Sequence, residues 1–288
     1  MTNDYKNRKR TAMTGILALI ACWFVQPASA ILIAAETFEG YNATNLLNGL
    51  NGGVGWTSAW TANSSVDIVN TGGNLAAEIR TPAGLANNAS HLSRKFDPSN
   101  TGGDIFLGIM LRPESFEDDD LIQFQLSNGA TGTSSATISF GIRNQTNNPF
   151  FARVGMSANT TNSSVSALDG IDYLLVAKFS KDGSSRYNRT DLFINPVGSK
   201  EPATANATRI NPSTGLLQLS LFNVRILSFE PNDAVILDTI RIATTFAEAA
   251  GTASVSIYEP SSIALFATGL IGVGCIRKKR RQAFSSKL

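Results

Sequence analysis

Between residues 31 and 260 the chain almost never holds apolar side chains at i, i+3, i+4 and i+7 for three turns, so it does not read as amphipathic helix. What recurs is the short β-rich run: ILIAAETF, VDIVN, LAAEIR, DIFLGIMLR, LIQFQLS, ATISFGIR, FFARVG, YLLVAKFS, DLFINP, LLQLSLFNVRI and VILDTIRIA. LIQFQLS and ATISFGIR alternate apolar and polar, which on a pleated strand puts Ile122, Phe124 and Leu126 on one face. Clusters such as NGLNGGVG, NTGGN, SNGATGT and KDGSS separate the runs and supply turn residues that accept positive φ. Many short strands without helices between them predict an all-β fold, a single antiparallel β-sandwich. No composition break divides the region and no internal repeat is evident, so one sandwich of about 230 residues is expected.

The two ends differ from this middle. KNRKR precedes the apolar run MTGILALIACWFV and then QPASA. A positive stretch, an apolar stretch and a small-x-small site are what signal peptidase requires. Ala28 and Ala30 supply that site, which makes residues 1–30 a signal peptide, with its apolar run as a signal helix, and Ile31 the mature start. Leu19-Ile20-Ala21-Cys22 also resembles a bacterial lipobox, in which the cysteine would carry lipid; Trp23, Phe24 and Val25 continue the apolar run past it and favour cleavage at Ala30. The run is short for an uncleaved spanning anchor. Cys275 lies in the C-terminal apolar run, so cleavage leaves the folded region without cysteine and excludes disulfides and thiolate metal sites.

Charge follows the same division. Residues 1–30 carry +3 and residues 261–288 carry +6, which leaves −7 for residues 31–260 within the net +2. A nucleic-acid partner needs a basic folded surface, and this distribution argues against one.

Ser261 to Ile276 is an apolar run of 16 residues. As a short hydrophobic helix it would be roughly 24 Å long, under the ~30 Å hydrocarbon core. Arg277, Lys278, Lys279, Arg280 and Arg281 follow it and would stay on the cytoplasmic side, leaving the sandwich outside. A plain anchor would read this way. The order Glu259-Pro260-Ser261, a Gly-containing apolar run and a basic cluster also resembles the PEP-CTERM sorting tail of bacteria that make extracellular polysaccharide. That resemblance covers residues 258–281, leaving 282–288 as a polar end, and departs from the family at Tyr258, where a proline is usual. It implies transient membrane anchoring, an exosortase-type processing enzyme as partner, and delivery to the outer envelope or extracellular matrix.

A looser resemblance spans most of residues 36–250, within an expected jelly-roll domain of residues 31–257. FEGY with GGVGW, DYLLVAKFSKDG with DLFINP, and LDTIRIATTFAEAAG are similar to stretches of laminin-G-like, concanavalin A-like jelly rolls. It implies two curved antiparallel sheets and no particular activity.

Candidate chemistry is sparse. His91 is the only histidine, no G-x-S-x-G elbow occurs, and no E-x-D-x-x-E strand of the laminarinase kind is present, so no catalytic residues are assigned. Asp118, Asp119 and Asp120 follow Glu117 in an inter-strand loop; such crowding suits calcium, which takes six to eight oxygens, or else forms a solvated turn. Trp56 and Trp60 in GWTSAW share a strand side and would stack on sugar rings if exposed or fill the core if buried. No cofactor other than calcium is expected. The reading is an exported, non-enzymatic envelope or matrix protein with a structural or adhesive role, with glycan binding as the alternative and glycoside hydrolysis as a remoter one.

Overall fold

The computed structural model describes residues 30–252, apart from 63–65, 81–89, 118, 130–136, 144, 156–157 and 214–215. The signal residue Ala28 and the sorting residues Glu259, Pro260, Ser261, Arg277, Lys278, Lys279, Arg280 and Arg281 lie outside the described residues, and so does Asp118. Among the described residues no helix is long and apolar enough to cross a membrane.

The described residues form fifteen strands: β1 (Leu32–Glu36), β2 (Thr61–Ala62), β3 (Val66–Asn70), β4 (Leu75–Arg80), β5 (Ser90–Lys95), β6 (Ile105–Glu114), β7 (Leu121–Ser127), β8 (Thr137–Ile142), β9 (Pro149–Val154), β10 (Thr160–Ser166), β11 (Tyr173–Ser180), β12 (Arg189–Ile194), β13 (Ala207–Ile210), β14 (Leu221–Leu227) and β15 (Ala234–Ala243). They form two antiparallel sheets, an all-β jelly-roll sandwich. One sheet runs β13-β12-β11-β6-β15-β4-β3, with β1 also on β15; the other runs β10-β9-β8-β7-β14-β5-β2. The edge of β15 is shared: β4 pairs with Ala234 to Leu237 and β1 with Ile240 to Ala243.

Alternation places the core as the sequence predicts. Ile122, Phe124 and Leu126 of β7, with Ile138, Phe140 and Ile142 of β8, point inward against Leu175, Ala177 and Phe179 of β11. Phe140 bridges the layers, 5.4 Å from Phe124 and 6.2 Å from Phe179 between ring centroids. β15 does not alternate simply. Its register against β6 slips between Leu237 and Ile240, a bulge that adds a residue and exchanges inward Val235 and Leu237 for inward Ile240 and Ile242. Outside this sheet lies α1 (Phe246–Ala249), capped by Thr245, with Phe246 edge-on to Phe106 and Phe193. Gly108 permits that docking, since a Cβ there would lie 1.9 Å from the Ala249 carbonyl oxygen.

Every run proposed from sequence is a strand. β2, β5, β10 and β13 were not foreseen. TTNSSVS (β10) buries only Ser163 fully, and SHLSRK (β5) directs Arg94 inward beside Leu92, so neither shows apolar alternation.

Candidate functional site

The outward face of the seven-stranded sheet carries two registered rows, one of polar side chains and one in which Phe151 and Gly141 interrupt them. Thr160, Arg153, Ser139, Gln125, Asn223 and Ser93 follow one another across β10, β9, β8, β7, β14 and β5. The next row reads Asn162, Phe151, Gly141, Gln123, Arg225 and His91 by the same pairings; the side chain of His91 lies outside the described residues. These positions are outward because period 2 sends their neighbours Ile122, Phe124, Phe140, Ala152, Phe222 and Val224 into the core.

The middle of the rows is deeply set: Gln123, Gln125, Ser139, Arg153 and Asn223 are buried. They bond to one another. Gln123 Nε2 donates to Ser139 Oγ at 2.7 Å, Asn223 Nδ2 to Gln125 Oε1 at 2.8 Å, and Arg153 Nε to Thr160 Oγ1 at 2.8 Å. Gln123 Oε1 accepts from Arg153 Nη1 at 3.3 Å and Arg225 Nη1 at 3.5 Å. Two atoms stay without partners although buried: Asn223 Oδ1, an acceptor, and Arg225 Nε, a donor. Burial, and then the nearby charges of Arg143 and Arg225, push the Arg153 guanidinium down to about 10. Arg153 also lies over the Phe151 ring at 4.7 Å.

A second cluster closes one end of the same central strands. Ser115-Phe116-Glu117-x-x-Asp120 joins β6 to β7, and Ser228-Phe229-Glu230-x-x-Asp233 joins β14 to β15. A six-residue motif thus recurs in two of the crossings between the sheets, too short and too far apart to count as an internal repeat of the domain. In each, the serine has positive φ, 53° at Ser115 and 65° at Ser228. In each, the aspartate carboxylate accepts the glutamate N–H: Asp120 Oδ2 from Glu117 at 2.7 Å, and Asp233 Oδ2 from Glu230. The phenylalanines meet edge to face, 5.5 Å apart at 89°. This pairing brings carboxylate oxygens of Asp119, Asp120 and Glu230 within 4.8 Å of one another. Asp120 is fully buried, and its Oδ1 and Glu230 Oε2 are unpartnered. Burial and the charges of Asp233, Glu230 and Asp119 push the Asp120 carboxyl up to about 8. An all-oxygen donor set with spare lone pairs fits a hard cation such as calcium. Of the predicted acids, Asp119 and Asp120 are in this cluster; Glu230 was not foreseen, being 110 residues further along the chain.

The aromatic platform is corrected. Trp60 is 1% exposed, stacked on Phe38 with centroids 6.3 Å apart. Trp56 is half-buried, packs on Phe96 and Phe222, and donates from Nε1 to the Ala35 carbonyl at 2.9 Å. Arg94 lies 5.1 Å from the Trp56 ring and 5.2 Å from that of Trp60, so the buried Trp60 offers a sugar no face and Trp56 is packed against the core on the side of Arg94, Phe96 and Phe222. The reason is a buried ion pair. Glu36 Oε2 accepts from Arg94 Nη1 at 2.7 Å, Tyr41 OH at 2.8 Å and Trp60 Nε1 at 3.2 Å, and this draws the GWTSAW segment inward.

No protein-family model matches the chain, and no curated protein matches it. Among solved structures it is similar to a carbohydrate esterase from Shiga toxin-encoding bacteriophage phi24B (11% identity, 75% of this chain and 100% of that one, TM-score 0.47). It is also similar to the exoplasmic/lumenal domain of VIP36 in metal-free form (10% identity, 68% and 90%, TM-score 0.46). The metal-free carbohydrate recognition domain of Emp46p is a further such structure (11% identity, 72% and 97%, TM-score 0.45). At these values the likenesses decide nothing about what this chain binds.

Proposed function

We propose that the protein is an exported, non-enzymatic surface or matrix component whose seven-stranded sheet holds polysaccharide on its outward face. The observation that carries this reading is the buried amide row Gln125–Asn223 with its neighbour Gln123, in which Asn223 Oδ1 has no partner. Leaving a buried acceptor unmade costs about 1–3 kcal/mol, and a sugar hydroxyl is a donor that removes that cost. Amides, hydroxyls and guanidiniums recognise hydroxyls without transferring protons near neutrality, which favours binding over hydrolysis. Titration of the full-length chain in detergent against a panel of purified polysaccharides tests the reading. At least one should bind, and Asn223→Ala or Gln125→Ala should weaken it roughly tenfold. A panel without a binder, or variants that bind like the wild type, would refute it.

Export rests on Ala28–Ala30 after an apolar run, and delivery to the envelope or matrix on the tail from Glu259 to Arg281, whose partner would be an exosortase-type enzyme. A second reading concerns the acid cluster. Two unpartnered carboxylate oxygens, on Asp120 and Glu230, favour calcium held by Asp119, Asp120 and Glu230, where it would tie the β6–β7 crossing to the β14–β15 crossing.

A further inference from the structure

The seven-stranded sheet contains no aspartate or glutamate in any strand, yet holds Arg94, Lys95, Arg153 and Arg225. Glu36, Asp67, Glu78, Glu114, Asp191 and Asp238 all stand on strands of the other sheet. The other sheet balances those six acids with Arg80, Arg112, Lys178, Arg189, Arg209 and Arg241, so of the two sheets only the seven-stranded one carries net positive charge on its strands, with Lys95, Arg153 and Arg225 outward and Arg94 turned inward to Glu36.

The outward arginines converge. Arg153 and Arg225 both donate to Gln123 Oε1, at 3.3 and 3.5 Å. Arg143, just beyond β8, donates to Asn162 Oδ1 at 3.3 Å and lies close enough to Arg153 to disfavour its charge. Among the described residues none of the three forms an ion pair, while Arg80, Arg94, Arg112 and Arg189 all do. Cations gathered without counter-ions in a recessed site repel one another and lose hydration, and a bound anion relieves both costs. The guanidinium fork matches a planar carboxylate. The rows cross six strands, roughly 24 Å at about 4.8 Å per strand, which suits an extended polymer better than a small ion.

We infer that the ligand of this face is an acidic polysaccharide, its uronate carboxylates held by Arg143, Arg153 and Arg225 and its hydroxyls by Gln123, Gln125 and Asn223. The inference rests on the glycan-binding reading of the same face and adds the charge class. A nucleic acid offers anions too, but its phosphate oxygens have no hydrogen to donate to the unpartnered Asn223 Oδ1, whereas a sugar hydroxyl does.

The test is calorimetric titration of the full-length chain in detergent with polygalacturonate, and with the same polymer after reduction of its carboxyls to neutral hydroxymethyl groups. The acidic polymer should bind at least about tenfold more tightly, with affinity falling as salt rises. Arg225→Gln should erase most of that preference. Arg143→Gln, at a half-buried position, should reduce it without risk to folding. Equal binding of acidic and reduced polymer would overturn the inference and leave glycan binding standing. Binding of neither would overturn both. Single-stranded DNA binding as tightly as polygalacturonate would overturn it in favour of unselective polyanion capture.

Discussion

Arg94 is 1% exposed and makes four hydrogen bonds: Nη1 to Glu36, Nε to the Ser58 carbonyl at 2.8 Å, and Nη2 to Asn51 Oδ1 and the Gly52 carbonyl, each at 2.7 Å. Glu36 in turn accepts the N–H groups of Thr37 and Phe38 through Oε1, both at 3.1 Å. One ion pair thus pins the segment from Thr37 to Trp60, which has little regular structure of its own. Removing one member leaves a buried charge behind, so Arg94→Ala should cost about 3–5 kcal/mol in urea unfolding, whereas the double change Glu36→Gln, Arg94→Met should cost less. A single-variant loss below about 1 kcal/mol would show the pair to be dispensable. Gly55 answers to the same segment. Its φ is +76° and a Cβ would meet the Ile33 carbonyl oxygen at 1.9 Å, so Gly55→Ala should cost more than the ordinary strain of a left-handed residue, about 1–3 kcal/mol, in the same assay.

The two crossings matter at the scale of elements. The acidic run from Glu117 to Asp120 was visible in sequence, but its partners were not, because only the antiparallel pairing of β6 with β15 and of β7 with β14 brings Glu230 and Asp233 beside it. The same limit applied to the polar face. Alternation in LIQFQLS identified which residues point outward, while the register that aligns Gln123 with Arg225 depends on a strand about a hundred residues away. Strands rich in apolar residues were legible from local pattern; the edge strand β10 and the Arg94-bearing β5 were not, since hydrogen bonding to neighbours rather than an apolar stripe makes them strands. Asp120 supplies a pH signature. Its carboxyl has an ordinary value of 3.8 and is raised to about 8 in the fold, so between these values the native state holds a proton that the unfolded chain has released. The contribution of this carboxyl to stability without calcium should therefore be most favourable below about pH 4 and be lost as pH rises towards 8. In chelator the melting temperature should drop across this range, and Asp120→Asn should flatten the drop. Calcium at pH 8 should raise the melting temperature of the wild type by binding only the native state, and should not raise that of Asp120→Asn. A wild-type melting temperature that ignores both pH and calcium would remove the cation reading.

For the whole molecule, the charge pattern and the topology make one argument. The positive charge of the full chain resides at its ends, while the region between is at −7 and brings Arg143, Arg153 and Arg225 together on one sheet face. A protein that keeps the basic tail has a cation-rich segment able to compete for the same acidic polymer or to bind anionic lipid. One that loses both ends has only the face. On the proposed sorting and glycan-binding readings, processing and ligand choice would be linked, and the native mass decides between the two states. The mature protein isolated from matrix or outer-envelope fractions should begin at Ile31 and end near Glu259 to Ser262, and its binding to polygalacturonate should depend on Arg143 and Arg225. If the native chain instead keeps Arg277 to Arg281 and stays in the inner membrane, the tail is a plain anchor, and Tyr258→Pro becomes the variant to make. Restoring the usual Pro-Glu-Pro should then release a shortened chain, and its continued retention would end the sorting reading altogether.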